Sequence, residues 1–129
     1  MITEDYVSFE TAKLLKEKGF DGECSRFYMP NGHGRWKHEH YHDFDISDRI
    51  ECPTLQMAMK WLRKNHNLYI TSVPNGIGED VFYMGIYRKY DCGWTHISDG
   101  LDEEHKEAEF SSPEEACEAA IKYCLENLI

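Results

Sequence analysis

The sequence predicts a two-layer α+β domain, in which helices lie on one face of an antiparallel sheet of four or five strands, in the order α-ββα-ββα. Three segments have the spacing of amphipathic helices, and four or five short runs are rich in β-branched and aromatic residues. Two of the turns between those runs share the pattern Pro-Asn-Gly-x-Gly. Hairpins that are each followed by a helix pack most simply as one sheet with the helices on one side.

The length and composition indicate a single domain over residues 1–129. A content of 41% hydrophobic and 13% aromatic residues disfavours a disordered chain. No apolar run approaches the ~20 residues of a membrane span. Residues 1–6 contain neither a basic region nor an apolar run, so we expect a cytoplasmic protein without a secretory signal or a membrane anchor.

Three helices are predicted from their first residues. Ser8 can cap the first helix, and Gly19 can end it. The second begins at Pro53 or Thr54, because the missing N–H of proline would be unpaired in a first helical turn anyway. Residues 112–115, Ser-Pro-Glu-Glu, form a capping box and begin the third helix, which runs almost to the C-terminus.

The strands are predicted from alternation and from their β-branched and aromatic residues. They cover 24–29, 35–44, 68–73 and 81–90, with a short fifth at 94–97. Residues 43–51 are predicted to form a polar loop. The turn pattern occurs at 30–34 and, 44 residues later, at 74–78. This recurrence indicates an internal repeat, although hairpins favour Pro-Asn-Gly in any case.

The net charge of −10 is concentrated in residues 99–118, which contain nine acidic residues and one lysine, whereas the rest of the chain contributes −2. A phosphate backbone is repelled by such a segment, so we expect no nucleic-acid binding. The segment is either a solvated face that keeps the protein soluble or a docking surface for a basic partner.

A histidine-rich run is the one candidate metal site. On an extended strand His38, His40 and His42 point to the same face, and imidazoles in that arrangement can bind Zn²⁺. However, His38 and His42 would be about 13 Å apart on a strand, so one ion needs a bulge or a partner chain to reach all three. The alternative is a row of half-exposed histidines that binds nothing.

The cysteine pattern indicates reduced thiols rather than a catalytic or disulfide-bonded site. The five cysteines are an odd number without Cys-x-x-Cys spacing. Cys117 and Cys124 are stacked on one face of the third helix but are too far apart to bridge. No nucleophile, paired-carboxylate or phosphate-loop motif is recognisable, so no catalytic residue is predicted.

Residues 17–21 (Glu-Lys-Gly-Phe-Asp) and the run from Cys52 to Ile70 resemble a family of small proteins of unknown function from gut Bacteroides and their phages or prophages. The resemblance covers residues 7–70 and consists of helix and turn signatures. It implies a bacterial cytoplasmic setting and is compatible with a mobile-element gene. No functional residue is carried over, and the histidine-rich run is not part of the pattern.

These observations favour a non-enzymatic protein-interaction module, with a homodimer through a sheet edge or a helix face as one form of it. Three tryptophans and eight tyrosines supply anchors of the kind that interfaces use. One alternative is a metal-binding protein or metal-dependent enzyme that uses the histidine-rich run. The other is an acidic protein that imitates nucleic acid and blocks a basic host protein.

Overall fold

The computed structural model describes residues 2–39, 49–74, 81–98 and 109–129. Within these ranges the chain forms three α-helices, six strands and one short 3-10 helix, which confirms the α+β class. The helices are α1 (Phe9–Glu17), α2 (Leu55–His66) and α3 (Pro113–Asn127). The strands are β1 (Arg26–Tyr28), β2 (Gly34–Trp36), β3 (Ile50–Glu51), β4 (Leu68–Pro74), β5 (Phe82–Tyr90) and β6 (Gly93–Ser98).

Ser8 and Ser112 cap α1 and α3 as predicted, whereas α2 is capped by Thr54, so Pro53 lies before the cap and not in the first turn. The hydroxyls of Ser8, Thr54 and Ser112 each accept a hydrogen bond from the backbone amide three residues later. These bonds satisfy amides that have no partner inside the helix. Helix α2 ends at His66 and is followed by the cap Asn67, whose φ of 56° lies in the left-handed region that asparagine tolerates.

The strands form two antiparallel sheets of three strands each, so the prediction of one sheet of four or five strands is wrong for the described residues. The first sheet has the order β2-β1-β3 and the second the order β4-β5-β6. Strand β1 has a partner on each side, so it offers no open edge to β4. In the described residues, each strand therefore pairs only with strands from its own half of the chain.

The predicted strand at 35–44 is shorter than expected. Strand β2 ends at Trp36, opposite Arg26, the first residue of β1, and the next amide, of Lys37, still bonds the Ser25 carbonyl at 3.0 Å. The chain then turns into the 3-10 helix Lys37–Glu39. The Lys37 ammonium lies 2.8 Å from a carboxylate oxygen of Glu51, which holds this turn against β3. Residues 40–44 of the predicted strand lie outside the described ranges.

Each half of the chain has one strand more than the order α-ββα-ββα, and only the first of the two, β3, was not expected. The predicted loop 43–51 ends in β3, where Ile50 is buried and pairs with Tyr28. The short strand expected at 94–97 is confirmed as β6. The order of elements therefore repeats as three strands and a helix, but β1 is central in its sheet whereas β4 is at an edge. The internal repeat concerns element order and does not extend to strand topology.

One hydrophobic core joins the three helices to the inner faces of the sheets. Helix α2 contacts β4, and α3 contacts both β4 and β5. Leu55 of α2 and Ile121 of α3 belong to the same buried cluster, as expected for helices on one face. Burial of such side chains stabilises the fold by roughly 1.5–3 kcal/mol each. In the described ranges no helix is long and apolar enough to cross a membrane.

A partly buried carboxylate ties the first helix to the last. Glu118 of α3 accepts hydrogen bonds from the Ser8 amide at 2.9 Å and from the Thr11 hydroxyl at 2.7 Å. Thr11 is only 1% exposed. The N-terminus of α1 therefore depends on a side chain that is more than 100 residues away in sequence.

Candidate functional site

The outer face of the second sheet carries a row of aromatic side chains, of which Tyr69, Tyr83 and Tyr87 are half-buried and Trp94 is exposed. Strand alternation places the cross-strand pairs Leu68–Arg88, Ile70–Ile86 and Ser72–Met84 towards the helices. The opposite side, called the open face below, consists of Tyr69, Thr71, Val73, Tyr83, Gly85, Tyr87, Lys89, Trp94 and His96.

The aromatic residues of the open face contact one another and are therefore held in place. The Tyr69 and Trp94 rings meet edge to face with centroids 4.6 Å apart, and the Tyr87 and His96 rings lie 4.8 Å apart. The Lys89 ammonium lies 5.8 Å from the centroid of the Trp94 ring, within the range of a cation–π contact. Trp94 nevertheless remains 56% exposed. A large apolar side chain that is fixed yet exposed is typical of a binding surface.

Gly85 shapes the middle of the open face. A Cβ atom there would lie 2.8 Å from the Thr71 hydroxyl oxygen and 3.2 Å from a ring carbon of Tyr87. The Tyr87 ring therefore lies over the glycine backbone instead of standing away from the sheet. The centre of the open face therefore projects less far from the sheet than Trp94 does at the edge.

Strand β6 forms one edge of the second sheet. In the described part of the chain it pairs with β5 alone, and residues 93–96 are all exposed. About half of the backbone groups of an edge strand point away from its neighbour and can pair with another strand. Ile97 is an extra residue in the pairing, since His96 is opposite Tyr87 and Ser98 is opposite Ile86. Such a bulge bends the edge, which leaves about four residues for pairing with an added strand.

The structure places only part of the predicted histidine site. His38 is exposed and lies on the 3-10 helix instead of a strand, with its ring 6.2 Å from the ring of Trp36. His40 and His42 lie outside the described residues. Among the residues that are described, no three histidine, cysteine or carboxylate side chains come together as a metal site would require. Zinc binding by His38, His40 and His42 stays a prediction.

The five cysteines are free thiols. Burial raises the pKa of Cys24 and of Cys124 to about 12, and it also raises the pKa of Cys52 and of Cys117. A thiol with a raised pKa is a poor nucleophile at neutral pH. Cys92 is exposed, in the turn between β5 and β6. The expectation of buried, reduced cysteines therefore holds for Cys24, Cys52 and Cys124.

Two described acids of the segment 99–118 have structural partners. Glu115 accepts hydrogen bonds from the amide and hydroxyl of Ser111, and these bonds lower its pKa. A capping box predicts a hydrogen bond between the Glu115 carboxylate and Ser112, but the carboxylate bonds Ser111 instead. Glu118 binds α1, as described above. These contacts give part of the acidic segment a role in the fold, and its role as a docking surface stays a prediction.

The open face could have been found from one signal in the sequence. Tyr83 and Tyr87 alternate with Met84 and Ile86 along β5, so one side of this strand is aromatic and the other aliphatic. Alternation alone does not say which side faces the helices, and aromatic residues are more often expected in the core. Only the packing of α3 against Met84 and Ile86 makes the tyrosine side the outer one.

Comparison of the chain with protein-family models, with curated proteins and with solved structures gives no match. The similarity to small Bacteroides and phage proteins stays a prediction. The case for a function therefore depends on the geometry of the chain itself.

Proposed function

We propose that the chain is a non-enzymatic protein-interaction module, and that the open face and the β6 edge bind an extended segment of a partner protein. The observation that carries this proposal is Trp94, which is 56% exposed but held by Tyr69 and Lys89. Tryptophan is enriched among the residues that dominate binding energy. A side chain that is already ordered loses little conformational entropy when a partner covers it.

The size of the open face favours an extended segment over a folded domain. Three strands at about 4.8 Å spacing and about six residues at 3.3 Å each cover roughly 300 Å². A stable interface between folded proteins buries about 800 Å² on each partner. A short strand compensates for the small area, because it adds main-chain hydrogen bonds along β6 to the side-chain contacts on the face.

The chemistry of the face indicates the composition of the bound segment. Its large exposed apolar side chains are Trp94 and, at the far side, Val73, which is 47% exposed, and half-buried tyrosines lie between them. Lys89 supplies a positive charge beside Trp94. We therefore expect alternate apolar or aromatic side chains in the segment, with an acidic residue near Lys89.

Selection from a random peptide library displayed on phage tests the proposal with the intact chain. Peptides that are enriched on the wild-type protein should bind Trp94→Ala at least about 20-fold more weakly, as for a residue that contributes ~2 kcal/mol. Tyr123→Ala is the matched control, because Tyr123 is an exposed aromatic residue on α3. It should bind the peptides as the wild type does. Failure to enrich any peptide, or equal binding by Trp94→Ala, would contradict the proposal.

A second copy of the chain is the other occupant to be tested. Sedimentation of the wild type and of Trp94→Ala over a range of concentrations distinguishes the two. If a foreign segment is the natural occupant, the wild type should remain a monomer. A dimer that the Trp94→Ala substitution abolishes would show that copies of the chain pair through this face, and it would overturn binding of a foreign segment.

A further inference from the structure

A second surface with binding chemistry lies on the first sheet, away from the open face. It is a cleft of about 470 Å³. Its walls are formed by Thr3, Glu4, Tyr6, Arg26, Tyr28 and Trp36. Arg26 is on the central strand β1, and Trp36 is directly opposite it on β2.

Three aromatic rings surround the Arg26 guanidinium. Its central carbon is 4.8 Å from the centroid of the Trp36 ring and 6.0 Å from those of Tyr6 and Tyr28. The Tyr6 and Trp36 rings meet edge to face at 5.4 Å. The cation is therefore held by rings and is partly withdrawn from water.

No described carboxylate forms an ion pair with Arg26, although the chain contains 24 acidic residues. By contrast, Lys37 and Arg49 share Glu51, and Lys122 pairs with Glu10. Burial raises the pKa of the nearby Cys52 thiol, and Tyr28 and the Arg26 guanidinium lower it. A thiol is a weak acceptor, whereas a guanidinium has five N–H donors that match the oxygens of a carboxylate or a phosphate.

Gly34 provides the space in which the guanidinium lies. A Cβ atom at this position would overlap Nη2 of Arg26 and approach Cζ to 2.8 Å. The clash would involve the end of a flexible side chain and no backbone atom. Alanine at this position should therefore displace the guanidinium while preserving both its charge and the fold.

We propose that the Arg26 cleft binds an oxyanion, a carboxylate or a phosphate, carried by a small planar molecule. The donors at the edge of the guanidinium would hold the anion, and the planar part would stack on one of the Tyr6 and Trp36 rings and meet the edge of the other. The volume of the cleft is within the ~300–1,000 Å³ typical of small-molecule sites. Glu4 at the wall of the cleft favours a ligand of low charge, so a carboxylate should bind more tightly than a doubly charged phosphate.

NMR titration of the full chain tests this site through the side-chain N–H signals of Trp36 and Arg26. The probes are benzoate, adenosine 5′-monophosphate, adenosine and inorganic phosphate. Benzoate and the nucleotide should each shift both signals to saturation, with benzoate binding more tightly. Adenosine lacks the anion and inorganic phosphate lacks the ring, so both should bind at least about tenfold more weakly than the nucleotide.

Three variants separate a built site from general attraction of anions. Arg26→Met and Gly34→Ala should each weaken binding at least about tenfold, the first by removing the guanidinium and the second by displacing it. Arg35→Met removes the same charge from the exposed neighbouring position and should leave the affinity unchanged. If Arg26→Met fails to fold, Gly34→Ala decides the question. The proposal would be overturned if neither benzoate nor the nucleotide gave a saturable shift. It would also be overturned if Arg35→Met lost as much affinity as Arg26→Met.

Discussion

Replacing Glu118 with alanine tests how the first helix is held in place. Its carboxylate accepts hydrogen bonds from the Ser8 amide at 2.9 Å and from the Thr11 hydroxyl at 2.7 Å. Thr11 is 1% exposed, so water cannot readily replace the lost acceptor. A buried donor without a partner costs about 1–3 kcal/mol, and a hydrogen bond to a charged group contributes a similar amount. We therefore expect the free energy of unfolding to fall by about 2–3 kcal/mol.

Urea denaturation followed by far-UV circular dichroism measures this loss. Glu118→Gln preserves an accepting oxygen, so its denaturation midpoint should lie between those of the wild type and Glu118→Ala. Glu126→Ala is the matched control on the same helix, since Glu126 is exposed and its carboxylate lies 3.9 Å from the Lys122 ammonium. This weak surface pair should leave the midpoint unchanged. A midpoint for Glu118→Ala as high as that of Glu126→Ala would refute the reasoning.

Three further predictions concern the cap and the thiols. Ser112→Ala removes the acceptor of the Glu115 amide at 3.1 Å and should lower the free energy of unfolding by about 1 kcal/mol, so an unchanged urea midpoint would contradict it. One thiol should react rapidly with Ellman's reagent in the native protein, and Cys92→Ser should abolish that phase, whereas its persistence would show that another cysteine is accessible. Stability should fall above about pH 9, because burial raises the pKa of Cys124 from 9.0 to about 12, so only the unfolded chain ionises there. Urea midpoints at about pH 8 and pH 10.5 measure the fall, which Cys124→Ala should reduce and a constant wild-type midpoint would contradict.

The sequence predicts the helices well because their signals are local. A hydroxyl at Ser8 or Ser112 and an apolar stripe after it are contained within about four residues on each side. The extra strand β6 was predictable for the same reason, since its hairpin with β5 needs only a turn of two residues.

The pairing of strands could not be predicted in this way. Whether β1 accepts β3 or β4 depends on contacts between distant residues, and β3 has only two residues, too few to show any alternation. The same limit applies to both candidate sites. The open face depends on which side of β5 the helices cover, and the Arg26 cleft depends on the register that places Trp36 opposite Arg26.

The histidine prediction placed His38 on an extended strand, and this part of it is wrong. It required an extended chain from His38 onwards, but β2 ends at Trp36, where its partner β1 begins. His38 consequently lies on a 3-10 helix, where successive side chains do not alternate between two faces. The contribution of His40 and His42 stays a prediction.

The central claim is that the open face and the β6 edge bind an extended segment. Amide NMR spectra of the full chain, recorded with and without a selected peptide, test it most directly. The account predicts that the largest shifts fall on residues 93–96 and on the Trp94 indole N–H, and that amides of β6 become protected from exchange with solvent. Shifts confined to α3, with those of β6 unchanged, would contradict it.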